Sequence, residues 1–305
     1  MTPVDTATVV LLAGPALGLG GAGAFGVARR GRATGLRPRT ALARAGSYAA
    51  LALVLLIAIR LGIYGVAVLL GIIAALGLFE WGRLFDLPLR HLVALEAANV
   101  LVFAAITVAG EGAAAWLVAL LVLVGAALPV VRADTGRGIR DFGIGAVGVA
   151  LISVLLAHGV GLAIVFGETG LALVAALAVA CAFSDVGAFV VGRTFGRHPL
   201  APSLSPSKTR EGVIGNFLGA AIGIALFLPA IVPTLGWPYC LALVPLVAGG
   251  SLWGDLLESA AKREAGVKDA GAWLPGFGGI LDRVDSLLIT VALAYWIARL
   301  WGMVR

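Results

Sequence analysis

Apolar residues in this chain come in membrane-length runs, not in the short alternation of half-buried strands or the one-sided stripes of surface helices. Runs at 6–28, 47–61, 62–79, 92–109, 113–131, 142–166, 170–192, 212–232, 238–257 and 281–301 predict ten helical spans joined by short polar loops. Arg60 falls in the middle of the 47–79 region, which reads either as two short spans or as one long or re-entrant element. The first run follows one acidic residue, Asp5, and precedes Arg29, Arg30, Arg32, Arg37, Arg39 and Arg44. A signal peptide carries its positive charge before the apolar run, so 6–28 is expected to be a retained span with its N-terminus outside. The expected fold class is an all-α polytopic integral membrane protein with about ten transmembrane helices. Residues 1–169 form an N-terminal multi-span region and 170–305 a C-terminal one within one continuous membrane domain.

Composition sharpens this picture by exclusion. Hydrophobic residues make up 61% of 305 and charged residues 12%, and mean hydropathy is +1.05; no soluble globular class has that balance. Two cysteines, Cys181 and Cys240, indicate neither a disulfide framework nor a thiolate metal site. Gly14/Gly18 and Gly219/Gly223 have the four-residue spacing of close helix contacts, which among 43 glycines reads as chance.

Charge is distributed unevenly. With the N-terminus outside, 19 of the 22 Lys and Arg residues fall on alternate, inner loops, the asymmetry of a bacterial-type inner or plasma membrane protein. The net charge of +6 is then explained by basic loops beside anionic lipid and requires no nucleic acid.

Within this apolar chain, residues 251–286 hold six of the sixteen acidic residues: Asp255, Glu258, Glu264, Asp269, Asp282 and Asp285. Charge so dense beside membrane spans is costly unless solvated or used. On a helix over 252–263, Asp255, Glu258, Ser259 and Lys262 share one face. The LPGFGG run (274–279) must turn, delivering Asp282 and Asp285 one helical turn apart at the start of the last span. Carboxylates from two helix ends can thus converge. Oxygen ligands without His or Cys suit Mg²⁺, and the neighbouring Lys and Arg suit phosphates. Asp255 and Asp282 are the expected principal ligands, with Asp285 a third or an orienting neighbour; a second cation is left open.

A second polar stretch runs from Ser184 to Gly212. Asp185 lies within an apolar span, where ionisable residues usually have work to do. Ser205, Ser207, Lys208 and Thr209 sit in a Pro-rich loop that opens the next helix, a plausible phosphate cradle. The three histidines lack metal-spaced partners. Glu80, beside Trp81 and Arg83, reads as an interface anchor, and Glu96 has no sequence-near partner.

These stretches resemble one family. GDLLES (254–259), KREAGVKD (262–269), LPGFGG (274–279) and LDRVDS (281–286), with DVGAFVVGRTFG (185–196) and SPSKTREG (205–212) upstream, are similar in order and spacing to phosphatidate cytidylyltransferases, or CDP-diacylglycerol synthases. The resemblance covers about the C-terminal 125 residues; the N-terminal half matches only as a hydrophobic multi-span region. Phe277 stands where that family has His, and Arg210 where it often has Trp.

The resemblance implies transfer of a cytidylyl group from CTP to phosphatidate, or a related lipid phosphate, at a site facing the cytoplasm. It implies catalytic roles for Asp255, Lys262, Arg263, Lys268, Asp269, Asp282, Arg283 and Asp285. Substrate binding would fall to Asp185, Ser205, Ser207, Lys208, Thr209, Glu258 and Ser259, and the implied partners are CTP, lipid phosphate and membrane lipids, with a homodimer left open. Two alternatives are a CTP-dependent, polyprenol-type lipid kinase, which would release CDP, and a lipid or ion transporter. Carboxylates gathered on one side rather than at mid-membrane argue against transport.

Overall fold

A computed structural model describes residues 50–131, 136–267 and 279–303. The expected span at 6–28, the basic segment after it, Gly14/Gly18, Lys268, Asp269 and Phe277 lie outside them.

Among the described residues eight helices carry the fold. They are α1 (Ala50–Arg60), α2 (Gly62–Leu84), α3 (Leu89–Val131), α4 (Gly138–Phe166), α5 (Glu168–Phe195), α6 (Arg210–Ala225), α7 (Leu228–Glu264) and α8 (Leu281–Leu300). Among the described residues five helices, α2, α3, α4, α5 and α7, are long and apolar enough to cross a membrane. That supports an all-α membrane protein.

The expected spans at 92–109 and 113–131 meet at a break inside α3, whereas the expected span at 212–232 is divided between α6 and the first part of α7. α3 and α7 run as long rods broken at Gly110 (φ 79°) and Gly236 (φ 74°), backbone angles that only glycine adopts without strain. α6 has only 16 residues, about 24 Å of helix. The 20 residues of α8 include Asp282, Arg283, Asp285 and Arg299. Among the described residues β1 (Pro199–Ala201) and β2 (Ser205–Thr209) form an antiparallel hairpin where the sequence predicts a Pro-rich loop.

α5 packs most extensively on α6, and α7 on α8. Small residues explain both contacts. A methyl group added at Gly215 would run into the Gly187 carbonyl, and one at Gly219 into that of Phe183; Gly223 abuts Ala180. The Gly219/Gly223 spacing is therefore a packing device, not chance, because α5 and α6 approach backbone to backbone. In the same way Gly250 faces Thr290, and Gly254 faces the Asp285 carbonyl. Gly219→Val should separate α5 from α6 at a cost of about 1–3 kcal/mol, read as a lower melting temperature in detergent. An unchanged melting curve would show that the helices can part without penalty.

Within α4, residues Val149–Val154 form a π-helical turn. Its buried Ser153 donates to Asn99 Oδ1 (2.7 Å), and Asn99 Nδ2 donates to the Gly71 carbonyl (3.0 Å). This polar bridge ties α2, α3 and α4 together inside the apolar core, where each group would be costly without its partner.

Candidate active site

The polar residues of the two sequence stretches meet at one end of the helix bundle. They come from the C-terminal ends of α5 and α7, the N-terminal end of α8, and the hairpin between α5 and α6. Gly254 lets α7 lie close against α8 at Asp285, which sets Asp255 beside it. One carboxylate oxygen from each of Asp255, Glu258 and Asp285 lies within 4.8 Å of the other two. Glu258 and Asp285 are each only 6% exposed, and Glu258 Oε1 is buried without a hydrogen-bond partner.

Three carboxylates at such separations, two of them buried, repel one another unless a cation or protons intervene. Hard oxygen donors, a partnerless Glu258 oxygen and the absence of His and Cys among them fit Mg²⁺ or a similar cation.

Asp282 takes a different position. Its Oδ1 accepts from Lys262 Nζ (2.7 Å) and its Oδ2 from the Gly279 backbone N–H (2.9 Å). Lys262 also pairs with Glu258, at 3.0 Å. Lys262 thus bridges the acidic trio to the start of α8. Of the three expected ligands, the structure brings Asp255 and Asp285 together with Glu258, and gives Asp282 to Lys262.

Asp185 closes the other side. Its Oδ1 accepts from Ser251 Oγ (2.6 Å) and lies 3.4 Å from Ser286 Oγ, which itself contacts Ser251 Oγ at 3.2 Å. This network joins α5, α7 and α8. Beyond it opens a cleft of about 420 Å³ lined by Asp185, Arg193, Ser205, Ser207, Lys208, Thr209, Asn216 and Asp255, among others. Lys208 reaches across it to form an ion pair with Asp255.

The hairpin is held for this purpose. Thr209 caps α6, its side chain accepting from the Gly212 N–H at 3.1 Å. The Glu211 carboxylate accepts from the Arg197 and His198 N–H groups (3.1 and 3.3 Å), and contacts His198 Nδ1 at 2.6 Å. That His198 contact, with the backbone donors, holds Glu211 down to about 2, below the usual carboxylate range. Arg263 on α7 donates from Nε to the Leu204 carbonyl (3.3 Å), fastening the hairpin turn over the end of α7. Ser259 is half-buried on α7 and is not among the residues lining the cleft. Arg283 is exposed on α8.

Sequence reading passed over four residues here. Ser251, Ser286 and Asn216 carry no charge, and no role is assigned to them from the sequence. Glu80 is the larger omission: it is 2% exposed, buried rather than anchored at an interface. Its carboxylate accepts from the N–H groups of Ile280 (2.9 Å) and Leu281 (2.8 Å), 200 residues away.

A helical membrane protein with a carboxylate trio beside a Lys- and Ser-lined cleft has the parts needed to bring phosphates and a divalent cation together at a bilayer surface. Comparison places it more narrowly. The chain belongs to the cytidylyltransferase family, whose model matches residues 42–301.

It is 41% identical over 140 residues to the phosphatidate cytidylyltransferase of Mycobacterium bovis, covering 45% of this chain and 44% of that protein. It is 45% identical over 137 residues to that of Synechocystis (42% and 43%). With phosphatidate cytidylyltransferase 5, chloroplastic, of Arabidopsis thaliana it shares 49% over 124 residues (39% and 30%). The matching stretch spans less than half the length of each of these relatives.

Proposed function

We propose that this protein is a membrane-embedded phosphatidate cytidylyltransferase, forming CDP-diacylglycerol and pyrophosphate from CTP and phosphatidate in phospholipid biosynthesis. The observation that carries the reading is the junction of the Asp255–Glu258–Asp285 trio with the Lys208 cleft in a chain of the cytidylyltransferase family.

The chemistry follows from what the residues can do. A phosphatidate phosphate oxygen attacks the α-phosphorus of CTP, and the bond to the β,γ-diphosphate breaks with its electron pair on the departing pyrophosphate. The nucleophile is already an anion, so little general-base help is needed; the barrier lies in bringing polyanions together and stabilising the leaving charge. Lys208, with Ser205, Ser207 and Thr209, binds and orients phosphate in the cleft. Lys262, held by Glu258 and Asp282, and Arg263 add positive charge at the end of α7. Lys268, Asp269 and Arg283 complete the polar set proposed from the sequence. Asp255, Glu258 and Asp285 would hold Mg²⁺, which when bound neutralises phosphate charge at the reacting centre.

The excess of Lys and Arg in alternate loops supports a site on the cytoplasmic side of a bacterial-type membrane, in a bundle of about ten spans. There CTP arrives from water and the lipid from the bilayer.

The test is incubation of purified protein with labelled CTP, Mg²⁺ and phosphatidate, followed by analysis of the lipid phase. Label in a CMP-containing lipid is the expected result. Label released as CDP with a newly phosphorylated lipid would replace the reading by a CTP-dependent lipid kinase, and no turnover on any phosphatidate would remove this substrate.

A further inference from the structure

Glu80 stands apart from both the acidic trio and the cleft, and its partners are backbone donors of another span. Glu80 lies one turn from the end of α2, in an apolar helix, almost wholly buried. Its two oxygens take the N–H groups of Ile280 and Leu281, one each. These are among the donors that a helix N-terminus leaves without an intrahelical acceptor, and the negative charge lies at the positive end of the α8 dipole.

Asp282 Oδ2 takes the next donor, the Gly279 N–H. Two carboxylates thus divide three successive backbone donors at the head of α8. An ordinary cap comes from the residue that precedes the helix; this one comes from another span, so it fixes α8 against α2 as well as closing its end.

The consequence falls on the site. Asp282 and Asp285 occupy the first turn and a half of α8, so the rotation and height of that turn decide whether Asp282 meets Lys262 and Asp285 meets Asp255 and Glu258. Gly279 supports the arrangement by size: a Cβ there would lie 2.7 Å from Glu80 Oε2. Trp81, the next residue on α2, donates from Nε1 to the Ile144 carbonyl at 2.9 Å. It also lines an apolar pocket with Glu258 and Asp285, so the Glu80 turn of α2 is itself pinned beside the trio.

We infer that Glu80 is a positioning residue for the acidic centre: by bridging Ile280 and Leu281 it holds α8 in the register that makes the Asp255–Glu258–Asp285 group able to bind a divalent cation. The inference rests on the metal role proposed above for that group, and its primary readout is ion binding, which does not require turnover.

The experiment compares the parent with Glu80→Gln, Glu80→Asp and Gly279→Ala in detergent. Mn²⁺ affinity is measured by the loss of the free-ion magnetic resonance signal, and kcat and KM for CTP are measured alongside. Gln keeps the size of Glu but turns an NH₂ group toward a backbone donor; Asp is one methylene short of reaching both. Substitution of a group that orients metal ligands typically costs about 10–100-fold in metal affinity or activity. Mn²⁺ binding in Glu80→Gln and Gly279→Ala should weaken within that range, with a fall in kcat and little change in KM for CTP, because Lys208 and the hairpin lie elsewhere. Glu80→Asp should fall between.

A purely structural Glu80 would instead lower the melting temperature or yield and leave the Mn²⁺ affinity and kcat of the folded fraction at parent values. That result overturns the inference, as does the lack of any saturable Mn²⁺ site in the parent. A Mn²⁺ shift in a parent that makes no CMP-lipid would uphold the positioning role and reject phosphatidate cytidylyl transfer.

Discussion

Asp285→Asn and Asp255→Asn should each lower cytidylyl transfer by roughly 10²–10³-fold, the usual loss when a group that stabilises developing charge is removed. Both residues supply oxygens to the acidic trio, and Asp285 is 6% exposed, so bulk water cannot replace its charge. Asn is nearly isosteric, and relief of repulsion among the carboxylates should leave the protein as stable as the parent or slightly more so. The signature is therefore loss of rate and of Mn²⁺ affinity without loss of melting temperature.

Asp255 adds a further feature through its pairing with Lys208. Asp255→Asn frees that Lys for phosphate, so KM for CTP should hold or fall while kcat drops. Near-parent kcat in either variant would remove that residue from the reacting centre and leave the trio as packing.

Lys262→Met carries the second large effect, and it is on stability as well as rate. The Lys262 side chain is 14% exposed and contacts Glu258 at 3.0 Å and Asp282 at 2.7 Å, themselves 5% and 15% exposed. Met keeps the length and removes the charge. Taking one partner from a buried ion pair leaves the other uncompensated, at a cost of about 3–5 kcal/mol. The melting temperature should fall sharply, and turnover with it, since the Glu258 end of the trio and the head of α8 lose their common tie.

A second substitution gives the internal check. In Lys262→Met/Asp282→Asn one stranded charge is removed, so part of the stability should return while the rate stays low. Equal melting temperatures for the parent and Lys262→Met would mean that water or a bound cation compensates both carboxylates. The bridge would then not hold the site.

The amino-acid sequence by itself determined the solvent this protein lives in and most of its chemical inventory. Runs of twenty apolar residues have no other stable home than a bilayer or a protein core, and the carboxylates and basic residues stranded among them had to be either functional or costly. Helical spacing alone placed Asp255, Glu258 and Lys262 on one face of α7, because 3.6 residues per turn leaves no other choice.

What spacing could not decide was which of the carboxylates meet. Asp282 and Asp285 lie on the same short turn and look equivalent in sequence. Only the packing of α7 on α8 through Gly254, whose missing side chain admits the Asp285 backbone, sends one to the trio and the other to Lys262.

Four-residue glycine spacing is likewise mute until two helices are seen to cross there, as α5 and α6 do at Gly215 and Gly219. Glu80 is the extreme case. Its partners are two backbone N–H groups 200 positions away, which its neighbours in sequence do not signal. Backbone donors at a helix start carry no sequence signature, so a cap supplied by a distant span becomes visible only when tertiary structure brings the two together.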